Sequence, residues 1–447
     1  MRHLRRKLLL FAGVSCLLLL VVPLATQMSR SYTMPWHPGP FVDSALQRAV
    51  TQSLPNGDAT LQASSRIRKI QHELVCLTKQ PTWAGGRTNA RIMGGSTCPP
   101  SRYSRNQDAT RSLKHVCSMI RGKNVLVAGS SMSYFLHNIW LHMLAPLDGH
   151  PHTCLGIDVC NWHHICLPSG VNSTLESSGR FKVAPTDEDL LRTDSALFRY
   201  VLSDTLYPSS KPWEDAFQIP TVDVSTGVRL RESFWIGRAR VSQVIVLSRP
   251  PIPAPAWTHD STSTGNWSFL DDLPVDENLM SMLDIDPPLE GSPSHRHILI
   301  LNAALHATIS IFLPLVLQTL QKIQIEPLVR AQTLIWHGNW YTYPSCGGYK
   351  SSVTSTMFPL GNDPWILYHN FQVYMQDILL AELLPSFNII YLPLSISWTE
   401  KEVTIPRDCL MNTMESNDAD ALANAFLSGL AHVLTSIGER ERLVFSN

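Results

Sequence analysis

Three stretches of this chain carry side chains whose types and order suit acyl chemistry. The first is Arg121-Gly122-Lys123-Asn124-Val125-Leu126-Val127-Ala128-Gly129-Ser130-Ser131-Met132-Ser133. An apolar run ends at Gly129 and an amphipathic run begins at Ser131, so the pattern predicts a strand-to-helix turn with the Ser131 hydroxyl at a sheet edge. Free N–H groups at a helix start can stabilise an oxyanion beside it. A plain small-residue turn with Ser131 as the N-cap fits the same local pattern. The second stretch, His297 to His306, reads as a strand over Ile298 to Leu301 that ends at Asn302, with His306 one helical turn on. The Asn302 amide could donate to an oxyanion and His306 could serve as a base; a turn asparagine and a structural histidine are the competing readings. In the third, Arg407-Asp408-Cys409-Leu410, Asp408 could orient a base or form an ion pair with Arg407.

The elements that must position these residues follow from the apolar pattern. Continuous apolar runs at 124–128, 241–247, 298–301, 333–336 and 388–392 read as strands covered on both faces. Met132, Phe135, Leu136, Ile139, Trp140, Met143 and Leu144 fall on one helical face. Asp363-Pro364 caps a second helix through about Leu383, and Ser416 to Ile437 form a last one. The alternation predicts a three-layer α/β/α domain with a mostly parallel sheet and ligands at the carboxyl ends of its strands.

Composition narrows the setting. The chain has 447 residues with 36 basic and 36 acidic side chains, so no general field would hold a nucleic acid. Arg2, Arg5, Arg6 and Lys7 precede the uncharged run Leu8 to Ala25, which as a helix spans roughly 27 Å. That asymmetry predicts a cytoplasmic tail at 1–7, a single-pass signal anchor at 8–26 and a lumenal remainder; a cleaved signal peptide ending near Ala25 is the alternative. Residues 27–73, rich in Ser and broken by Pro35, Pro38, Pro40 and Pro55, read as a stem, leaving 74–447 as the lumenal domain. An acidic, Pro- and Ser-rich insertion is expected at about 250–295.

Cys16 lies in the apolar run and eight cysteines follow it. In an oxidising lumen they predict disulfides, with at least one short-loop bridge among Cys154, Cys160 and Cys166. Zinc at those cysteines with His163 and His164 lacks a CxxC spacing, so no metal and no tightly bound cofactor is expected. Asn172-Ser173-Thr174 and Asn266-Trp267-Ser268 are glycosylation sequons.

Taken together, these blocks resemble the PC-esterase, or trichome-birefringence-like, branch of the SGNH (GDSL-like) hydrolases. The resemblance covers about Cys76 to Leu434. Arg121 to Ser133 is similar to the family's RGK…FVGDS.SR block, Asn302 to His306 to its NTGAHW block, and Arg407 to Leu410 to the start of its Asp-x-x-His block; Cys76, Trp83 and Cys98 match its first cysteine-bounded segment. The resemblance implies a Golgi or endoplasmic-reticulum type II membrane protein that transfers or removes glycan O-acetyl groups, with the acyl donor unspecified. It implies Ser131 as nucleophile, Asp408 as the acid that orients the base, and Gly129 as part of the turn. Two positions depart from the pattern: Ser130 stands where the family has Asp, and Met411 where it has the catalytic His. A thioether takes no proton near neutral pH, so His306 or His432 would have to supply the base, or the true block lies elsewhere in the chain, or the chain binds without turnover. Trp235, Arg238, Trp336 and Trp340 are the candidate sugar-binding residues. A lumenal glycosyltransferase is the remaining class; its usual Asp-x-Asp pair is represented by Asp284-Ile285-Asp286 beside Pro287 and Pro288, which reads as a solvated turn.

Overall fold

The structure, a computed structural model, describes residues 39–53, 65–78, 87–88, 109–149, 151–152, 154, 156–157, 162–168, 184–206, 219–259, 265–273, 293–342, 363–394, 396–397 and 417–444. The expected tail and anchor, Asp408, Met411 and the sequon at Asn172 lie outside these residues.

The central sheet has six strands: β2 (Asn124–Gly129), β3 (Trp162–Ile165), β4 (Ala196–Leu202), β7 (Val244–Leu247), β8 (Thr333–His337) and β9 (Ile390–Leu392), in the order β3-β4-β2-β7-β8-β9. β3 pairs antiparallel with β4, and every other pairing is parallel. Two small antiparallel pairs stand apart from it: β1 (Arg87–Thr88) with β10 (Ile396–Ser397), and β5 (Ile219–Val222) with β6 (Arg229–Glu232). Counted along the chain, the five parallel strands lie in the doubly wound order second, first, third, fourth, fifth. That order reverses at β2, where connections leave toward opposite sides and open a crevice at the carboxyl ends.

Helices cover both faces. α1 (Gly39–Ser53) and α2 (Ser65–Thr78) come first, then α3 (Ala109–Ile120) and α4 (Ser131–Asp148). Short α5 (Asp187–Thr193) and α6 (Trp235–Ala239) lead to α7 (Pro293–His306), a π turn (Ala307–Phe312), α8 (Leu313–Ile325) and α9 (Pro327–Arg330). α10 (Pro364–Leu383) and α11 (Asn417–Val444) complete the set. Val125, Val127, Phe198, Val246, Ile335 and Leu392 point into one core with α3, α4 and α11. Alternate residues of the same strands point the other way, where α6 packs on β2 and α10 on β9. Each fully buried aliphatic or aromatic side chain contributes about 1.5–3 kcal/mol, so the all-buried strands β2 and β7 are strong organisers of the fold.

Two expectations are corrected here. Residues 298–301 are not a strand but part of α7. The uncharged run continues from His297 to Gln321, far beyond strand length, and a buried helix is apolar all round just as a buried strand is. The stretch 296–325 is long and apolar enough to cross a membrane, yet it is mostly buried inside the protein. The stem is also shorter than expected, because α1 and α2 belong to the compact unit that begins at Gly39. Leu46, Ile70 and Leu74 are buried, and Gln71 of α2 bonds both the N–H and the C=O of Tyr391 on β9.

Candidate functional site at the carboxyl edge of the sheet

The β2–α4 turn lies at the reversal point of the sheet. Ser130, not Ser131, is the N-cap: it has extended backbone and its Oγ accepts from Met132 N at 3.3 Å. This frees the Ser131 side chain, which is half-buried and hydrogen-bonds to no other described residue. The turn itself is held tightly. Tyr200 donates its hydroxyl to both Gly129 O and Ser130 O at 3.1 Å, and Ser203 N donates to Gly129 O at 3.0 Å. Gly129 has no room for a side chain, since a Cβ there would overlap Ser133 Oγ and lie 2.8 Å from Ser248 O.

On α4 the serine that meets an imidazole is Ser133, two residues beyond Ser131. Its hydroxyl lies 2.8 Å from His337 Nε2, and His337 Nδ1 lies 2.8 Å from Gly338 O. A carbonyl only accepts, so Nδ1 carries the proton and Ser133 donates to Nε2. Both residues are fully buried. Burial lowers the His337 pKa to about 4, and with both side chains closed to solvent the pair ties α4 to β8.

Around the crevice, a second polar group gathers behind β4 and β7. Glu232 accepts from Ser203 Oγ and Thr205 N, both at 2.6 Å, and its pKa is raised chiefly by burial. Arg249, which is buried, donates to Thr205 O, and Asn339 Nδ2 donates to Arg249 O at 3.0 Å and to Gln376 Oε1 at 3.1 Å. Asn370 and Gln372 on α10 bond the loops at Thr342 and Ile252 in the same manner. Glu232 and Arg249 escaped sequence reasoning. The polar residues spaced through the apolar α10 are the signal that some helix must anchor loops.

The expected site residues separate in the structure. Gly129 and Ser131 share the turn as anticipated. Asn302 lies within α7 and His306 ends it, in the layer that packs on α10 rather than on α4. His432 faces Glu73 across 3.3 Å. Asp408 lies outside the described residues. Trp235, Trp336 and Trp340 are at most 1% exposed and serve as core residues, with Trp340 tilted against Phe135, so they do not line an open sugar cleft. Arg238 is the member of that set that lines a pocket, together with Trp162, Arg199, Tyr200 and Val201.

Cys166 pairs with Cys117, 49 residues away, and staples the end of β3 to α3; the expected short-loop bridge involves Cys160, which lies outside the described residues. His137, Cys154 and His163 place ligand atoms within 4.8 Å of one another, but Cys154 is disulfide-bonded and has no thiolate to offer a metal. Among the protein families, curated proteins and solved structures compared with this chain, nothing matches.

Proposed function

We propose that this chain is a membrane-anchored lumenal protein of Golgi or endoplasmic reticulum with an SGNH-like domain that handles O-acetyl groups of glycans at the β2–α4 crevice. The observation that carries this reading is the Ser131 hydroxyl, half-buried and unengaged by any described residue, at the first helical position after a buried parallel strand. Such a hydroxyl can attack an acetyl carbonyl: its proton leaves for a base, the sugar oxygen departs with a proton, and water or a second sugar hydroxyl then takes the acetyl group from the serine. Glu232, a half-buried carboxylate tied to the same turn through Ser203, joins Asp408 as a candidate for the base relay in place of His306, which sits in the α7 layer. A second reading, binding without turnover, is favoured by the lack of any imidazole on Ser131 among the described residues and by Met411 at the expected base position.

The deciding experiment compares wild type and Ser131→Ala on 4-nitrophenyl acetate and on acetylated oligosaccharides. Turnover by wild type that falls at least about a hundredfold in the variant supports catalysis. Equal inertness with retained oligosaccharide binding establishes the second reading. Equal turnover by both proteins rejects Ser131 as nucleophile.

A further inference from the structure

A pocket of about 200 Å³ opens on the face of the sheet opposite α4, over β3 and β4, and is lined by Trp162, Arg199, Tyr200, Val201 and Arg238. Its position follows from strand alternation: Phe198, Tyr200 and Leu202 point into the α4 core, so Arg199 between them points toward α6. Register places Trp162 of β3 directly beside Arg199. Arg238 enters from α6 and is close enough for its charge to depress the Arg199 pKa further, after burial, to about 10.

Nothing in the protein neutralises this pair among the described residues. Arg199 Nε is buried without a hydrogen-bond partner, and neither guanidinium forms an ion pair with a described carboxylate. Three other arginines of the molecule hold acids: Arg240 holds Glu326 at 3.0 Å, Arg192 holds Asp189 at 3.0 Å and Arg121 holds Asp194 at 2.9 Å. Two like charges facing one concavity repel each other, and a buried donor without an acceptor is costly. An oxyanion removes both penalties at once, since the planar guanidinium matches carboxylate, sulfate and phosphate oxygens. The volume corresponds to roughly six or seven waters, room for a charged group with part of the sugar that bears it.

We propose that Arg199 and Arg238 form a binding site for a single oxyanion, a carboxylate, sulfate or phosphate, with Trp162 as the adjoining apolar wall. The site lies on the other face of the sheet from α4 and needs no turnover at Ser131.

The test is calorimetric titration of the purified full-length chain, at constant ionic strength, with sulfate, inorganic phosphate, glucuronate and neutral glucose. At least one oxyanion should bind with 1:1 stoichiometry while glucose does not. Arg238→Gln, at an exposed position, should weaken that binding at least about tenfold, and Arg199→Lys should weaken it as well. Glucuronate binding without phosphate or sulfate would assign the site to sugar carboxylates, and the reverse to ester or free oxyanions. If no oxyanion exceeds glucose, or if folded Arg238→Gln binds as wild type does, the site is refuted. Ser131→Ala should titrate like wild type, so failure of the acyl reading leaves this result standing.

Discussion

The two faces of the sheet treat polar side chains in opposite ways around the same strands. On the α4 face, Ser133, His337 and Tyr200 are buried and bonded: serine to imidazole, imidazole to a carbonyl, phenol to two carbonyls. On the α6 face, Arg199 and Arg238 share a pocket with no acid among the described residues. Saturated polar groups fix a turn and gain nothing from a ligand. Unsaturated ones destabilise the free protein and are relieved by whatever binds. The contrast turns on burial and bonding rather than residue type, since Ser133 and His337 form a serine–imidazole pair yet are both fully buried.

The sharpest way to break the paired face is Gly129→Ala. The new Cβ would overlap Ser133 Oγ and press on backbone at Ser248 O, a neighbour that cannot rotate away. It would also push Ser133 off His337. The expected loss is about 3 kcal/mol or more, read as a fall in urea midpoint or failure to accumulate folded protein. A variant within about 1 kcal/mol of wild type would show that the turn is looser than described.

Acid should attack the same face next. His337 has a pKa near 4 in the folded state against an ordinary 6.5, so the unfolded chain binds the extra proton between those values. Stability is therefore full above pH 6.5 and is lost as pH falls toward 4, by an amount on the order of 2–3 kcal/mol for this ring alone. His369, which donates to Trp340 O at 3.2 Å, and His163 are likewise lowered to about 4, mainly by burial, and act in the same direction. Urea unfolding at pH 7.5 and pH 5 measures the slope. His337→Gln should flatten part of it; an unchanged slope would assign the acid response to the other rings.

How much of this was legible in the sequence depends on the range of the interaction. The β2–α4 junction could be read because strand, glycine, cap and amphipathic helix all lie within about twenty residues and agree. Asp363 was readable as a cap for the same reason, and it accepts from Trp365 N and Ile366 N. The 298–301 run misled because full burial erases periodicity, leaving only its length as evidence. β3 and β4 were missed: β4 contains Arg199 within an apolar run, and His163 and His164 interrupt β3. The Ser133–His337 bond spans 204 residues and the Arg199–Arg238 pocket joins a strand to a helix across a sheet face, so no local spacing announces either. Tryptophans were overvalued as sugar platforms because aromatic side chains are large apolar groups first.

On the unpaired face, substitution should have the opposite sign. Arg199→Met replaces a partly buried guanidinium that lacks an acid partner with an apolar chain of similar length. It should raise stability by about 1 kcal/mol in ligand-free protein while abolishing oxyanion binding. Thermal unfolding with and without sulfate separates the two effects, because wild type should gain with sulfate and the variant should not. A destabilised Arg199→Met would place Arg199 among the structural ties and remove the contrast between the faces.

The smallest expected effect on stability belongs to Ser131→Ala. The cap is Ser130, so the helix keeps its bond to Met132 N, and alanine is a good residue inside a helix. Ser131 loses no partner among the described residues and leaves no buried group unsatisfied, so unfolding should shift by less than about 0.5 kcal/mol. Ser133→Ala, two residues away, strands the Nε2 acceptor of His337 and should cost about 1–3 kcal/mol. Side-by-side denaturation of the two variants decides which serine the fold needs and which it spares. If Ser131→Ala costs as much as Ser133→Ala, the Ser131 hydroxyl is structural, and the crevice loses the free hydroxyl on which its acyl chemistry rests.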